Sequence, residues 1–204
     1  METSITDITN PVIDKKPEED IKPAQPKMTS SDVAKLLVIY PNSLFRYRPN
    51  LAVVENVSWG LGLRYEADLM CCSTKGYVTE IEIKVSMADW KNDHRKDKFQ
   101  RTLCRNNERI IIKDPPSIIK KFYYAVPIDL ARRWEEVELP WGAGVIGVGY
   151  KYIEKKHYME GSEPYYSRPF CEILKEAKTW KANKLSTEQQ LQLCRLGSMR
   201  AWRH

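Results

Sequence analysis

Nothing in the 204-residue sequence approaches eighteen consecutive apolar residues, so a membrane-spanning helix is not expected. The opening stretch, METSITDITNPVIDKKPEED, lacks the basic start and apolar centre of a secretory signal. The expected location is therefore the cytoplasm, with no membrane partner. The cysteines are poorly placed for cross-linking: Cys71, Cys72, Cys104, Cys171 and Cys194 include no CxxC pair, and their number is odd. Adjacent Cys71 and Cys72 would point to opposite faces of a strand. Such spacing supports neither a disulfide framework nor a structural zinc site, and small buried thiols in a reducing compartment are expected. The glycines Gly142, Gly144, Gly147 and Gly149 have neither a G-K-[ST] ending nor a GxGxxG order. They read as a packed or bent strand and not as a phosphate loop. Internal repeats are absent.

What is present fits a soluble α/β protein of one domain, with 42% hydrophobic and 29% charged residues. The net charge is +6, and the first 28 residues hold six acids against four lysines, leaving +8 for the rest. A basic folded part suits a polyanionic partner, because each neutralised phosphate releases counterions. Residues 1–28, interrupted by Pro11, Pro17, Pro23 and Pro26, read as a disordered leader. Residues 29–204 form the expected domain, with 155–204 as a mainly helical C-terminal extension.

Within that domain a short capped helix is expected after Ser31-Asp32, ending at Pro41. Strands follow at 51–57, 63–72 and 77–86, the last two joined by Ser73-Thr74-Lys75-Gly76, which makes an antiparallel meander. Ser86-Met87-Ala88-Asp89 has the form of a capping box and predicts a helix running through Trp90 and Phe99 to about Leu103. Lys-Phe-Tyr-Tyr-Ala-Val at 121–126 reads as a fourth strand. A short helix over 130–137 and a glycine-spaced strand over 144–153 come next. A second capping box at Ser186–Gln189 opens a helix nearly to His204, which could pack on the domain, on a protein partner or in a homodimer. This order predicts a central mixed sheet flanked by helices.

The third strand, Tyr-Val-Thr-Glu-Ile-Glu-Ile-Lys-Val-Ser, carries the chemistry. Strand side chains alternate, so Thr79, Ile81, Ile83 and Val85 share an apolar face while Glu80, Glu82 and Lys84 share the other. With the first two strands on one side and 121–126 on the other, the strand is central, and charges on it need partners or a ligand. The second strand presents Arg64, Glu66 and Asp68 on its polar face, so Asp68 can approach Glu82 and Lys84. Two carboxylates can bind a hard cation that keeps several waters, and the cation lowers the pKa of one of them. Lys84 could then orient the attacking water or offset transition-state charge. The backbone carbonyl of Ile83 is a further candidate ligand, and Glu80 adds an extra acid beside it.

Asp68, thirteen intervening residues, then Glu82-Ile83-Lys84 resembles the D-x(n)-E-x-K signature of the PD-(D/E)xK nuclease superfamily. The longer strings Ser58–Asp68 and Glu82–Ser86, the Ala88-Asp89 helix start and Phe122–Pro127 are similar to the MmcB-type DNA-repair nucleases and related phage and bacterial proteins. The resemblance covers roughly residues 51–152. It implies a restriction-endonuclease-like core, with Asp68 and Glu82 as ligands of Mg²⁺ or Mn²⁺ and Lys84 as the catalytic lysine. It also implies a metal-dependent DNA endonuclease or repair-type nuclease in a bacterial or phage-infected cytoplasm. The alternative is a catalytically silent nuclease fold serving as a DNA-binding or adaptor module. Ala67 stands where the superfamily signature has proline.

The predicted helix after Ser86 carries Lys91, Arg95, Lys98 and Arg101, which are candidate contacts to DNA phosphates. Asp89, Asp93 and Asp97 could instead balance these cations through i,i+4 pairs on a solvated face. His94, among these lysines, reads as an exposed side chain. Tyr150, Tyr152, Tyr158, Tyr165 and Tyr166, interleaved with lysines, read as strand and loop packing in preference to base stacking.

Overall fold

The computed structural model describes residues 25–38, 50–58, 61–99, 101–105, 108–112, 115–152 and 166–201. Helix α1 (Ser30–Val38) is followed by strands β1 (Asn50–Val57), β2 (Ala67–Ser73) and β3 (Val78–Ile83), then helix α2 (Met87–Asn92). Two 3₁₀ turns, Asp93–Arg95 and Asp97–Phe99, lead into β4 (Arg101–Arg105) and β5 (Glu108–Ile112). Next come β6 (Ile119–Pro127), α3 (Ile128–Ala131), β7 (Gly144–Tyr152), β8 (Tyr166–Lys175) and α4 (Thr187–Ala201). The six-stranded mixed sheet has the order β1-β2-β3-β6-β7-β8, and β4 pairs with β5 separately. β1, β2 and β3 are antiparallel, β3, β6 and β7 are parallel, and β8 returns antiparallel to β7.

Both faces of the sheet are covered, which explains why β2 and β3 are buried on alternate and intervening positions alike. On one face Leu69, Ile81, Ile83 and Ala125 pack under Val33, Leu36 and Leu37 of α1. On the other, Met70, Phe122, Tyr124 and Val145 meet Trp90, Phe99 and Trp141 in an aromatic layer. Phe99 packs edge-on against Trp141 at 4.6 Å and Phe122 packs edge-on against Tyr124 at 5.2 Å, within the favourable range for such pairs. At Gly144 an added Cβ would lie 2.4 Å from the Tyr123 ring, so the glycine here permits close packing of β7 against β6. Gly76 closes the β2–β3 hairpin with φ of 81°, a conformation that glycine adopts without a side-chain clash.

Several boundaries differ from the sequence reading. β2 starts at Ala67, four residues after the expected start, because Leu61–Glu66 bends so that the Tyr65 hydroxyl can reach Glu80. The α1 cap is Thr29, whose N–H and Oγ1 both donate to Asp32 while its Oγ1 accepts the Asp32 N–H. The helix expected through Leu103 stops at Asn92, and Arg101–Arg105 instead pairs antiparallel with Glu108–Ile112. The break coincides with Asp93, which is buried against the sheet and accepts the Tyr124 hydroxyl at 2.7 Å.

The mainly helical C-terminal extension is also corrected, since β8 completes the sheet before α4 begins. The reciprocal Ser186–Gln189 cap of α4 forms as expected. α4 packs on β1, burying Leu193 and leaving Leu191 and Met199 exposed. Of the expected leader, residues 1–24 lie outside the described residues. Contacts to the domain begin by Gln25, whose side chain bonds both backbone polar groups of Tyr150, and Met28 is buried. Among the described residues, no helix is long and apolar enough to cross a membrane.

Candidate active site

The β2–β3 register, Leu69 with Ile81 and Met70 with Glu80, continues to set Asp68 beside Glu82. The ladder stops there, and the Asp68 carboxylate replaces a backbone acceptor by taking the Ile83 N–H at 2.8 Å. In an extended strand the N–H and C=O of one residue point to the same side, so the Ile83 carbonyl faces the same edge. Asp68, Glu82, Ile83 and Lys84 line a cavity of about 350 Å³, together with Asp89 and Lys96. Its remaining wall is the first turn of α1 and the Glu55-Asn56 end of β1. The four residues that the sequence reading singled out thus line one cavity.

Glu82 is the electrostatic centre. Its carboxylate lies 2.7 Å from Lys84 Nζ and 2.9 Å from Lys96 Nζ, and it also pairs with Lys98. Burial pushes Glu82 upward, but the surrounding ammonium groups, Lys98 and Lys84 foremost, bring it down to about 2. Lys84 Nζ lies also 2.9 Å from Asp93 and 3.6 Å from Asp89. Lys96 Nζ bridges to Asp93 at 2.7 Å, and its side chain is 47% exposed, which makes it the accessible member of the three. These contacts, with desolvation opposing them, raise the Lys96 ammonium above its ordinary value.

Glu80 sits one pair of residues deeper, fully buried, between the Tyr65 hydroxyl at 2.6 Å and Lys98 Nζ at 3.5 Å. Desolvation outweighs both partners and raises its carboxyl to about 7. Glu80 does not line the cavity, which sets it apart from the other candidate ligands: one carboxyl oxygen accepts the Tyr65 hydroxyl, and the other faces Lys98 Nζ without a hydrogen bond. Lys98 was expected on a phosphate-facing helix, but its tip is buried among the rings of Tyr65, Phe99 and Phe122, at 4.9 to 5.2 Å from their centres. The 3₁₀ turn at Asp97–Phe99 points it inward, where it pins Glu82 and Glu80.

The remaining proposed phosphate contacts are dispersed. Lys91 pairs with Glu136 at 2.9 Å, Arg95 is exposed, and the Arg101 side chain lies outside the described residues. His94 is partly exposed, its Nδ1 2.8 Å from the Lys91 carbonyl oxygen. Asp93, Tyr124, Tyr65 and Lys96 are participants whose site roles sequence reasoning missed. The alternation in 121–126 could have flagged Tyr124, since it falls opposite Glu82 in the β3–β6 register.

Among the described residues, no three His, Cys, Asp or Glu side chains converge as a closed metal cage. A magnesium-type ion does not need one, because it retains waters and uses one or two carboxylates. Asp68 supplies the test of fit. Burial and the charge of Glu82 raise its carboxyl above the ordinary value, and among the described residues no ammonium lies in salt-bridge range. Asp68, short of positive charge, and the Ile83 carbonyl offer oxygen donors suited to a hard divalent cation, while the adjoining Glu82 carboxylate already pairs with Lys84, Lys96 and Lys98.

No family model matches the chain, and no curated protein matches it. Among solved structures the chain is similar to a protein of unknown function from Silicibacter pomeroyi, with 19% identity, a TM-score of 0.39, and coverage of 74% of this chain and 75% of that one.

Proposed function

We propose that the protein is a divalent-metal-dependent nuclease that hydrolyses phosphodiester bonds in DNA, with a restriction-endonuclease-like core of the PD-(D/E)xK type. The observation that carries this reading is the open end of the β2–β3 ladder. There Asp68 stands beside Glu82, and Ile83 and Lys84 line the same cavity. Asp68, Glu82 and the Ile83 carbonyl would hold Mg²⁺ or Mn²⁺, which when bound polarises a phosphate and acidifies a water. Glu82, kept ionised by its lysines, is a fixed acceptor. Lys84, oriented by Glu82 and Asp93, presents its ammonium to the attacking water or to a phosphoryl oxygen. Asp93, itself held by the Tyr124 hydroxyl, keeps that ammonium in place.

The discriminating variant is Asp68→Asn. Its amide oxygen can still accept the Ile83 N–H, while the loss of charge relieves repulsion with Glu82. The variant is expected to be at least as stable as wild type near neutral pH, yet to lose cation binding and activity. Cleavage of labelled single-stranded, duplex, flapped and nicked DNA with Mg²⁺ or Mn²⁺, compared with Lys84→Ala, measures this. Folded, DNA-binding wild type that cuts nothing in the panel would sink the enzyme reading.

One observation favours a second reading, a silent nuclease-fold module that binds DNA. Three ammonium groups already neutralise Glu82, and Lys96 occupies the accessible side. If the protein is an enzyme, a divalent cation must displace Lys96. Lys96→Gln is then expected to tighten Mn²⁺ binding by on the order of tenfold, equivalent to ~1.4 kcal/mol. Calorimetric titration reads this without any substrate. Undetectable Mn²⁺ binding in both wild type and Lys96→Gln would favour the silent module.

A further inference from the structure

Residues 176–186, between β8 and α4, form no regular element, yet they are fastened to the sheet at four points. The N–H groups of Lys178, Trp180, Asn183 and Leu185 donate to the carbonyls of Gly142, Lys120, Ser117 and Gly76, at 2.7 to 2.9 Å. The segment is thus a strap across the starting ends of the parallel strands β3, β6 and β7. Glu82 and Lys84 lie at the finishing end of β3. Six residues of strand separate Val78 from Lys84, so the strap and the candidate active site are roughly 20 Å apart.

The strap carries Lys178, Lys181 and Lys184, all exposed. Lys184 Nζ and Lys120 Nζ converge on the same ring, at 5.4 and 3.6 Å from the centre of Tyr77. Lys178 Nζ lies 3.9 Å over Trp180. Among the described residues, none of these four lysines is in an ion pair with an acid. Like charges gathered on an aromatic surface repel one another, and an anion between them would relieve that repulsion. Lys178 and Lys184 are six residues apart, a separation at which the side chains of an extended chain return to the same face, and they span up to about 20 Å. One phosphate cannot serve such a span. A chain of phosphates can.

We propose that this strap is a nucleic-acid-binding surface, separate from the candidate active site, that takes the phosphate backbone of a DNA strand. Tyr77 and Trp180 support the lysine stems, and the ammonium groups supply a sequence-independent contact. The surface does not depend on the protein being an enzyme, because it would hold DNA equally in a silent module.

The test uses the full chain without divalent metal, following fluorescence anisotropy of labelled single-stranded and duplex oligonucleotides of about 30 nucleotides across a salt series. K178Q/K181Q/K184Q keeps the stems and removes the charges, so its urea midpoint should match that of wild type. Loss of three phosphate contacts is expected to weaken binding at least tenfold and flatten the slope of log affinity against log salt by about 2. K151Q/R168Q, paired across the finishing end of β7 away from the strap, serves as a control surface and is expected to change the slope less. Wild-type affinity and slope in the triple variant would overturn the proposal, as would wild type binding neither oligonucleotide. Competition by polyglutamate as strong as by DNA would overturn it in favour of an acidic protein partner. Failure of cleavage with the strap effect intact would remove the nuclease reading and leave this one standing.

Discussion

Glu82→Ala is expected to destabilise the fold by about 3–5 kcal/mol, the usual consequence of removing one partner from a buried charge cluster. The side chains of Lys84 and Lys98 are each 4% exposed, and both point at the carboxylate that the substitution deletes. Lys84 would keep Asp93, but Lys98 would be left with Glu80, which is more distant and poorly ionised. The lysines, not the missing glutamate, account for most of the cost, because a desolvated ammonium without a counter-charge is unfavourable. Glu82→Leu combined with Lys98→Met should therefore recover much of the loss, since the Lys98 tip already lies among Tyr65, Phe99 and Phe122 and a thioether fits there. Urea unfolding of Glu82→Leu, Lys98→Met and the double variant closes a cycle that isolates the coupling. A Glu82→Ala midpoint equal to that of wild type would show that the ammonium groups find other partners. The same reasoning warns against inactivity of Glu82→Ala as evidence of catalysis, and makes Asp68→Asn the cleaner probe.

The parts of this site legible in the sequence are those fixed by strand alternation. Glu80, Glu82 and Lys84 share a face because strand side chains repeat every two residues, and Asp68 follows from the short hairpin that Gly76 closes. The central position of β3 was expected from the strand order, with the first two strands on one side and 121–126 on the other, and the sheet places β2 and β6 on its two sides. What the sequence did not reveal depends on contacts distant along the chain. The aspartates and lysines of 89–98 have helical spacing, and local propensity favours one continuous helix. Asp93 is instead held by Tyr124, and the chain turns extended at Lys96, with ψ of 143°, so Lys96 reaches the cavity and Lys98 the interior. The tertiary hydrogen bond overrides propensity worth only tenths of a kcal/mol per residue. β8 was missed for a similar reason: its ladder with β7 is non-local, and Pro169 interrupts the strand signal.

Glu80 leads to the second large effect, a stability that falls as pH rises toward neutrality. With a folded-state pKa of about 7 against an ordinary 4.5, Glu80 keeps a proton in the fold that the unfolded chain has released. Between those two values the folded state binds more protons, so raising the pH weakens it, by on the order of 3 kcal/mol over the whole window. Asp68, also raised, acts in the same direction. Glu82 acts oppositely and elsewhere: its contribution is complete above 4.5 and is lost as pH falls toward 2. The groups facing Glu80 are Tyr65, Lys98 and Glu82, with Phe122 beside it on β6 and Met70 on β2. Glu80→Gln mimics the protonated state, turning its carbonyl to Lys98 and its amide to the Tyr65 oxygen. The variant should match wild type near pH 4.5, exceed it by on the order of 3 kcal/mol above pH 7, and show a flatter urea-midpoint profile between. Parallel profiles for the two proteins would move the titration to Asp68, whose variant Asp68→Asn would then flatten it instead. A fold that retains a buried acid at this cost keeps Lys98 aligned between Glu80 and Glu82, and that alignment fixes Glu82 in the wall of the cavity.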